Sequence, residues 1–185
     1  MAADQSVNNK MDFDKDLYPE LDYLMTADDL DVQFVIDGQS VRAHKLFMIT
    51  SSPVFRSMFS GQWLIESDGK KPIEIRDTTP EAFNVMIRFI YTERLMFNND
   101  TNDLDHIRDV LILADRYRMK RMGSIVVRHL ISMLSMDNIQ PIGRLAFDYQ
   151  LPDLIRVLKI FIDRNYRQLR QKPQSELNSI NNSLC

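Results

Sequence analysis

Cysteine is almost missing from this chain. The only one among 185 residues is Cys185, so no intrachain disulfide can form and no set of thiolates can hold zinc. That points to a reducing compartment, cytoplasmic or nuclear. Glycine numbers only five, scattered as turn residues, which excludes a glycine-rich loop for cradling phosphates. Neither sign of charge dominates: 23 Lys and Arg stand against 26 Asp and Glu, a formal net charge of −3. Without a basic face, binding of nucleic acid by this chain is not expected. Long apolar runs are absent too. The most apolar stretch, Val110 to Ala114, is short and flanked by charge, so no membrane span is expected. Met1 to Lys10 is polar and has no basic start before an apolar run, as a secretory signal would. What remains is a hydrophobic fraction of 44% with 26% charged residues, enough to build the core of one ordinary domain with an extension.

Periodicity organises that material. Leu17, Leu21, Leu24 and Met25 recur at helical spacing and predict a short amphipathic helix, in which Pro19 must lie in the first turn or break the segment. Its stripe must be covered by the domain's own core or by another subunit. Val32, Phe34 and Ile36 alternate up to Asp37-Gly38, a pair that tolerates positive φ, so a β-hairpin returning through Gln39 to Arg42 is expected. After His44 the period lengthens towards 3.6. Leu46, Phe47, Ile49 and Thr50 predict one short helix; Ser52 as cap and Pro53 at the first position open a second, with Val54, Phe55, Met58 and Phe59, ended by Gly61.

Pro72 to Ile75 predicts a short strand, and Thr79-Pro80 opens a helix bearing Phe83, Met86, Ile87 and Ile90. Beyond a loop at 98–103 the chain turns wholly helical. Ile107, Val110, Leu111, Ala114 and Tyr117 form one stripe; Met122, Ile125, Val126, His129, Leu130 and Met133 form the next, joined near Met119. A further pair begins at Asp137, which stands at capping-box spacing from Gln140. Its helices carry Ile139, Ile142, Leu145 and Ala146, then, from Pro152, Leu154, Val157, Leu158, Phe161 and Ile162. Residues 1–14 and 167–185 are read as flexible and disordered tails.

Catalytic chemistry leaves no trace. His-Glu-x-x-His and Gly-x-Ser-x-Gly are absent, and His44, His106 and His129 fall in separate elements, so no metal, no cofactor and no enzyme is expected. The carboxylates of Asp28, Asp29 and Asp31 precede a strand and suit a solvated turn with a cap.

From Asp31 to Thr92 the runs Asp-Val-Gln-Phe-Val-Ile-Asp-Gly, Arg-Ala-His-Lys-Leu, Ser-Ser-Pro-Val-Phe-Arg-Ser-Met-Phe and Phe-Ile-Tyr-Thr resemble the BTB/POZ domain family. Leu113-Ala-Asp-Arg-Tyr117 looks like a later helix of the same family, and Asp137 to Asn165 resembles the 3-box, the helical pair that opens the BACK region of cullin adaptors. The implied architecture is α+β: a small mixed sheet surrounded by helices over residues 15–133, then an α-helical hairpin over 134–166. The resemblance implies a homodimer, with Leu17, Leu21, Leu24 and Met25 on the partner and Asp31 with Lys45 as a charged pair near the central groove. It also implies binding to cullin-3, the scaffold of a ubiquitin ligase, through Phe59, Trp63, Leu64, Glu66 and Tyr117. Counting back from Glu66 makes Leu64 the hydrophobic anchor, whereas counting forward from Phe59 selects Trp63. The expected function is a substrate adaptor that brings an unidentified client protein to cullin-3. The other reading is a dimerisation scaffold that recruits a transcriptional or cytoskeletal partner without any cullin.

Overall fold

The structure is a computed structural model in which residues 30–60, 71–95, 97 and 103–169 are described. The N-terminal stripe Leu17, Leu21, Leu24 and Met25, the motif residues Trp63, Leu64 and Glu66, and both predicted tails up to residue 14 and beyond residue 169 lie outside them. Among the described residues the architecture is α+β, as expected. Strand β1 (Val32–Ile36) runs antiparallel to β2 (Gln39–Ala43) and parallel to the short β3 (Ile73–Glu74), giving the sheet order β2-β1-β3.

The hairpin turn is the one its sequence specifies: Asp37 and Gly38 both have positive φ, at 46° and 80°. Alternation then sorts the faces. Val32, Phe34, Ile36, Val41 and Ala43 are buried, while Gln33 donates its amide to Ser40 on the other face at 2.7 Å. The buried face receives Phe55 and Phe83, whose ring centroids lie 5.7 and 5.3 Å from that of Phe34. Edge and tilted contacts of this kind are favoured by aromatic quadrupoles and add to the burial itself.

Two short helices follow the hairpin, α1 (Lys45–Ser51) and α2 (Pro53–Phe59), and one residue ends the first and starts the second. Ser52 donates its backbone N–H to the Met48 carbonyl at 3.0 Å, and its hydroxyl accepts from Val54 and Phe55 N–H, both at 3.2 Å. The same hydroxyl donates to the carbonyl of Tyr117 at 2.7 Å, across 65 residues of sequence. Helix α3 (Pro80–Thr92) starts on the predicted Thr79 cap, which accepts from Ala82 N–H at 3.2 Å. Helices α4 (Leu104–Arg116) and α5 (Lys120–Met133) pack antiparallel, and their predicted stripes are buried at Ile107, Val110, Leu111, Ala114, Met122, Val126 and Leu130.

The hairpin that follows consists of α6 (Ile139–Asp148) and α7 (Pro152–Leu169). Ile142, Ala146, Leu154 and Leu158 seat it on the body in one continuous core. Outside the turn at Asp37, four junctions reverse the chain on left-handed residues that are not glycine: Asp77, Glu93, Arg118 and Gln150, with φ between 50° and 62°.

Three expectations are corrected. The N-cap position of α6 falls on Asn138 rather than Asp137, and the Asn138 side chain makes no cap bond to the helix but ties the turn before it, accepting from Ser135 N–H and donating to the Met133 carbonyl, both at 2.8 Å. Leu46 does not join the stripe of its helix. A seven-residue helix buries one face, α1 turns Met48 inward, and Leu46 is left 68% exposed. The polar stretch after Asn165, read as the start of a disordered tail at 167, is helical to Leu169, since propagation along an existing helix needs no new nucleus.

Two outcomes follow for stability. Ser52→Ala removes the one oxygen that accepts from two helix N–H groups and strands a buried carbonyl, so it should lower the unfolding free energy by about 2–3 kcal/mol, against about 1 kcal/mol for Thr79→Ala, in paired urea titrations. His129 stacks on Phe97 with ring centroids 4.5 Å apart, and burial holds its pKa below the ordinary 6.5. The unfolded chain therefore takes up this proton first. The contribution of the neutral ring is full above about pH 6.5 and is lost as pH falls towards the lowered folded value. The difference in urea midpoint between wild type and His129→Phe should widen in favour of the variant between pH 7.5 and pH 5.5.

Candidate functional site

Two surfaces are expected to bind, and the described part of the first begins with the approach of Asp31 to α1. The Asp31 carboxylate accepts the backbone N–H of Lys45 at 2.6 Å, serving as a cap for a helix whose N-cap residue, His44, makes no side-chain cap bond. The two residues of the expected pair thus meet through the main chain of Lys45. The carboxylate takes the main chain of Lys45, while the Lys45 ammonium stands over the Phe59 ring, 5.5 Å from its centroid. Asp31 is exposed and Leu46 stands beside Lys45, so this corner offers both charge and apolar surface. His44 anchors it from behind: its backbone N–H donates to the Tyr91 hydroxyl at 2.9 Å, and its Nδ1 lies 2.9 Å from the same oxygen.

The second surface begins where α2 ends. Phe59 and Tyr117, expected as direct contacts for a partner, are buried neighbours of Phe55 in this structure. They are 4% and 3% exposed, because both rings stack on Phe55, with centroid separations of 6.1 Å for Phe59 and 4.4 Å for Tyr117. Burial also raises the pKa of the Tyr117 phenol, so it stays neutral. Trp63, Leu64 and Glu66 follow this buried end directly in sequence.

A groove of about 1280 Å³ lies where the turn between α6 and α7 meets α4 and α5. Leu111, Val127 and Ile131 contribute apolar surface to it, and Arg118, Lys120 and Arg128 contribute charge. No motif in the sequence marks it, because it arises from docking the hairpin on the body. Sequence reading also missed Arg116, whose guanidinium donates to the carbonyls of Arg76 and Asp77 at 3.0 and 3.2 Å and ties α4 to the segment before α3.

Nothing in this geometry converges as reacting groups do. Among the described residues no group of three His, Cys, Asp or Glu side chains is placed to hold a metal, and no helix is long and apolar enough to cross a membrane. The histidines have packing partners instead: Phe47 and Tyr91 for His44, and Phe97 for both His106 and His129.

Comparison with known proteins agrees with this reading of the fold. Rat BTB/POZ domain-containing protein 9 is 29% identical over 139 residues, covering 75% of this chain and 22% of that protein. The Drosophila melanogaster protein of the same name is 30% identical over 135 residues, 73% of this chain and 18% of its own length. Armadillo BTB Arabidopsis protein 1, from Arabidopsis thaliana, is 30% identical over 140 residues, 75% of this chain and 18% of that protein. The chain therefore spans less than a quarter of the length of these relatives. The solved BTB domain of human gigaxonin is similar at 18% identity and a TM-score of 0.48, over 70% of this chain and 96% of that one. The sequence model of the BTB/POZ domain matches residues 21–134, well over half the chain, and this protein belongs to the BTB/POZ domain family, a fold of protein-protein interaction.

Proposed function

We propose that this chain is a homodimeric adaptor that binds cullin-3 and brings a client protein to a ubiquitin ligase whose chemistry resides in other subunits. The observation that carries this reading is the hairpin α6–α7, seated on the body through Ile142, Leu154 and Leu158 and opening a groove next to the turn between α4 and α5. Leu64-Ile65-Glu66, a hydrophobic-any-Glu sequence after α2, is the second support for the reading. The charge balance fits the same use, since a net charge of −3 gives no general attraction to polyanions.

Self-association is the second half of the proposal. Leu17, Leu21, Leu24 and Met25 form a stripe that a neighbouring subunit would cover, and the exposed Leu46 beside Lys45 and Asp31 suits the same contact. A scaffold that dimerises without a cullin is the competing reading, and the burial of Phe59 and Tyr117 favours it, because it leaves three of the five expected cullin contacts to present themselves.

The purified chain should bind the N-terminal region of cullin-3 with micromolar affinity or better in calorimetry. Changing Trp63, Leu64 and Glu66 together to alanine should weaken that by about 2–4 kcal/mol. Unchanged binding by the triple variant removes the motif from the account, and recovery of partners without cullin in a pull-down decides for the scaffold. Separately, sedimentation at low micromolar concentration should give a dimer for the wild type and a monomer for Leu17→Glu/Leu21→Glu; a well-folded wild-type monomer ends the dimer proposal.

A further inference from the structure

Helix α5 brings two unlike rows of residues to the groove beside the hairpin. Gly123, Val127 and Ile131 follow one another a turn apart and offer small and apolar surface. Lys120, Ser124 and Arg128 form the neighbouring row, also a turn apart, and all three are exposed. Among the described residues neither Lys120 nor Arg128 forms an ion pair, and the Ser124 hydroxyl donates back to the Lys120 carbonyl at 3.0 Å. The other elements carry less free charge. From the hairpin come Asp148 and Asp153, the second already paired with Arg156 at 3.1 Å, and from the end of α4 come Asp115 and, just after it, Arg118, of opposite sign. The uncompensated charge on the α5 side is therefore positive, and it runs alongside an apolar row.

We propose that this groove docks an amphipathic helix of a partner protein whose apolar stripe is bordered by carboxylates, the stripe on Gly123, Val127 and Ile131 and the carboxylates on Lys120 and Arg128. Size and spacing both suit a helix. Two helical turns about 10 Å wide fill about 850 Å³, within the 1280 Å³ of the groove. Lys120 and Arg128 are eight residues apart in one helix, about 12 Å along its axis, so acidic residues two turns apart on a partner helix meet both. Identifying that partner with the client rests on the adaptor reading above, whereas the docking itself needs no cullin.

The test is fluorescence anisotropy with labelled helical peptides of about 15 residues that share one leucine stripe, bordered by Glu, by Gln or by Lys, titrated with the full chain as wild type and as Lys120→Glu/Arg128→Glu. Wild type should bind the Glu-bordered peptide about 5–20-fold more tightly than the Lys-bordered one, as two exposed charge pairs allow, and the difference should shrink as salt is added. The double variant should reverse the order of preference, and a peptide with Gln in place of the leucines should not bind to either. Folding is not at risk in this variant, because the first turn of α5 holds no acidic residue and the helix dipole favours one there, so its urea midpoint should equal or exceed that of wild type. Equal affinity of wild type for the three peptides, or an unchanged order in the double variant, would overturn the proposal. So would displacement of the Glu-bordered peptide by the cullin-3 N-terminal region, or conversion of a wild-type dimer to a monomer by the double variant in sedimentation, which would assign the groove to cullin or to a second copy of this chain. Preference for the Glu-bordered peptide in a protein that does not bind cullin-3 would leave the docking site standing and defeat the adaptor reading alone.

Discussion

The hydrogen bond from the Ser52 hydroxyl to the Tyr117 carbonyl is the constraint on which the rest of the body depends. Ser52 is fully buried, and a buried hydroxyl without partners would be a net loss. Here every hydrogen-bonding capacity is filled: two N–H groups of α2 on its lone pairs, its own proton on a carbonyl from the turn after α4. A local device for starting a seven-residue helix thus becomes a long-range tie between the hairpin half of the fold and its helical half. Short helices such as α1 and α2 have too few turns to be stable alone, so their existence is a property of the assembled core. The column of Tyr117, Phe55 and Phe59 rises from that tie and carries its rigidity to the surface.

Function in this molecule is a matter of surfaces, and the core explains why the surfaces hold their shape. Phe34 gathers Phe55 from α2 and Phe83 from α3 onto one face of a three-stranded sheet, and the buried stripes of the remaining helices join the same core. Two of the side chains with family resemblance, Phe59 and Tyr117, belong to this interior.

Much of the fold was legible in the sequence because its signals are local. The alternation of Val32, Phe34 and Ile36, the Asp37-Gly38 turn, the Ser52-Pro53 and Thr79-Pro80 helix starts and the stripes of α4 to α7 each need only a few neighbouring residues to be read, and each stands where expected. Less was legible where the outcome depends on residues far apart. Nothing near Tyr117 says that its ring lies under Phe55, and nothing near Lys45 says that its ammonium prefers a ring to the carboxylate of Asp31. The start of α6 falls one residue later than Asp137, after a turn that the Asn138 amide closes in two directions because it both donates and accepts.

The left-handed junctions bear on how such a chain can change. An L-residue in that conformation carries a strain of about 1–2 kcal/mol, which neighbouring packing must hold in place. In return each reversal keeps a side chain where glycine would leave bare backbone: Glu93 reaches Arg121 at 2.9 Å, while Arg118 and Gln150 border the groove by the hairpin. Corners of the chain, ordinarily the least informative part of a domain, are here furnished with charge and polarity. Variation at these few corners could retune what the surface recognises while the helices that enforce the bends stay as they are.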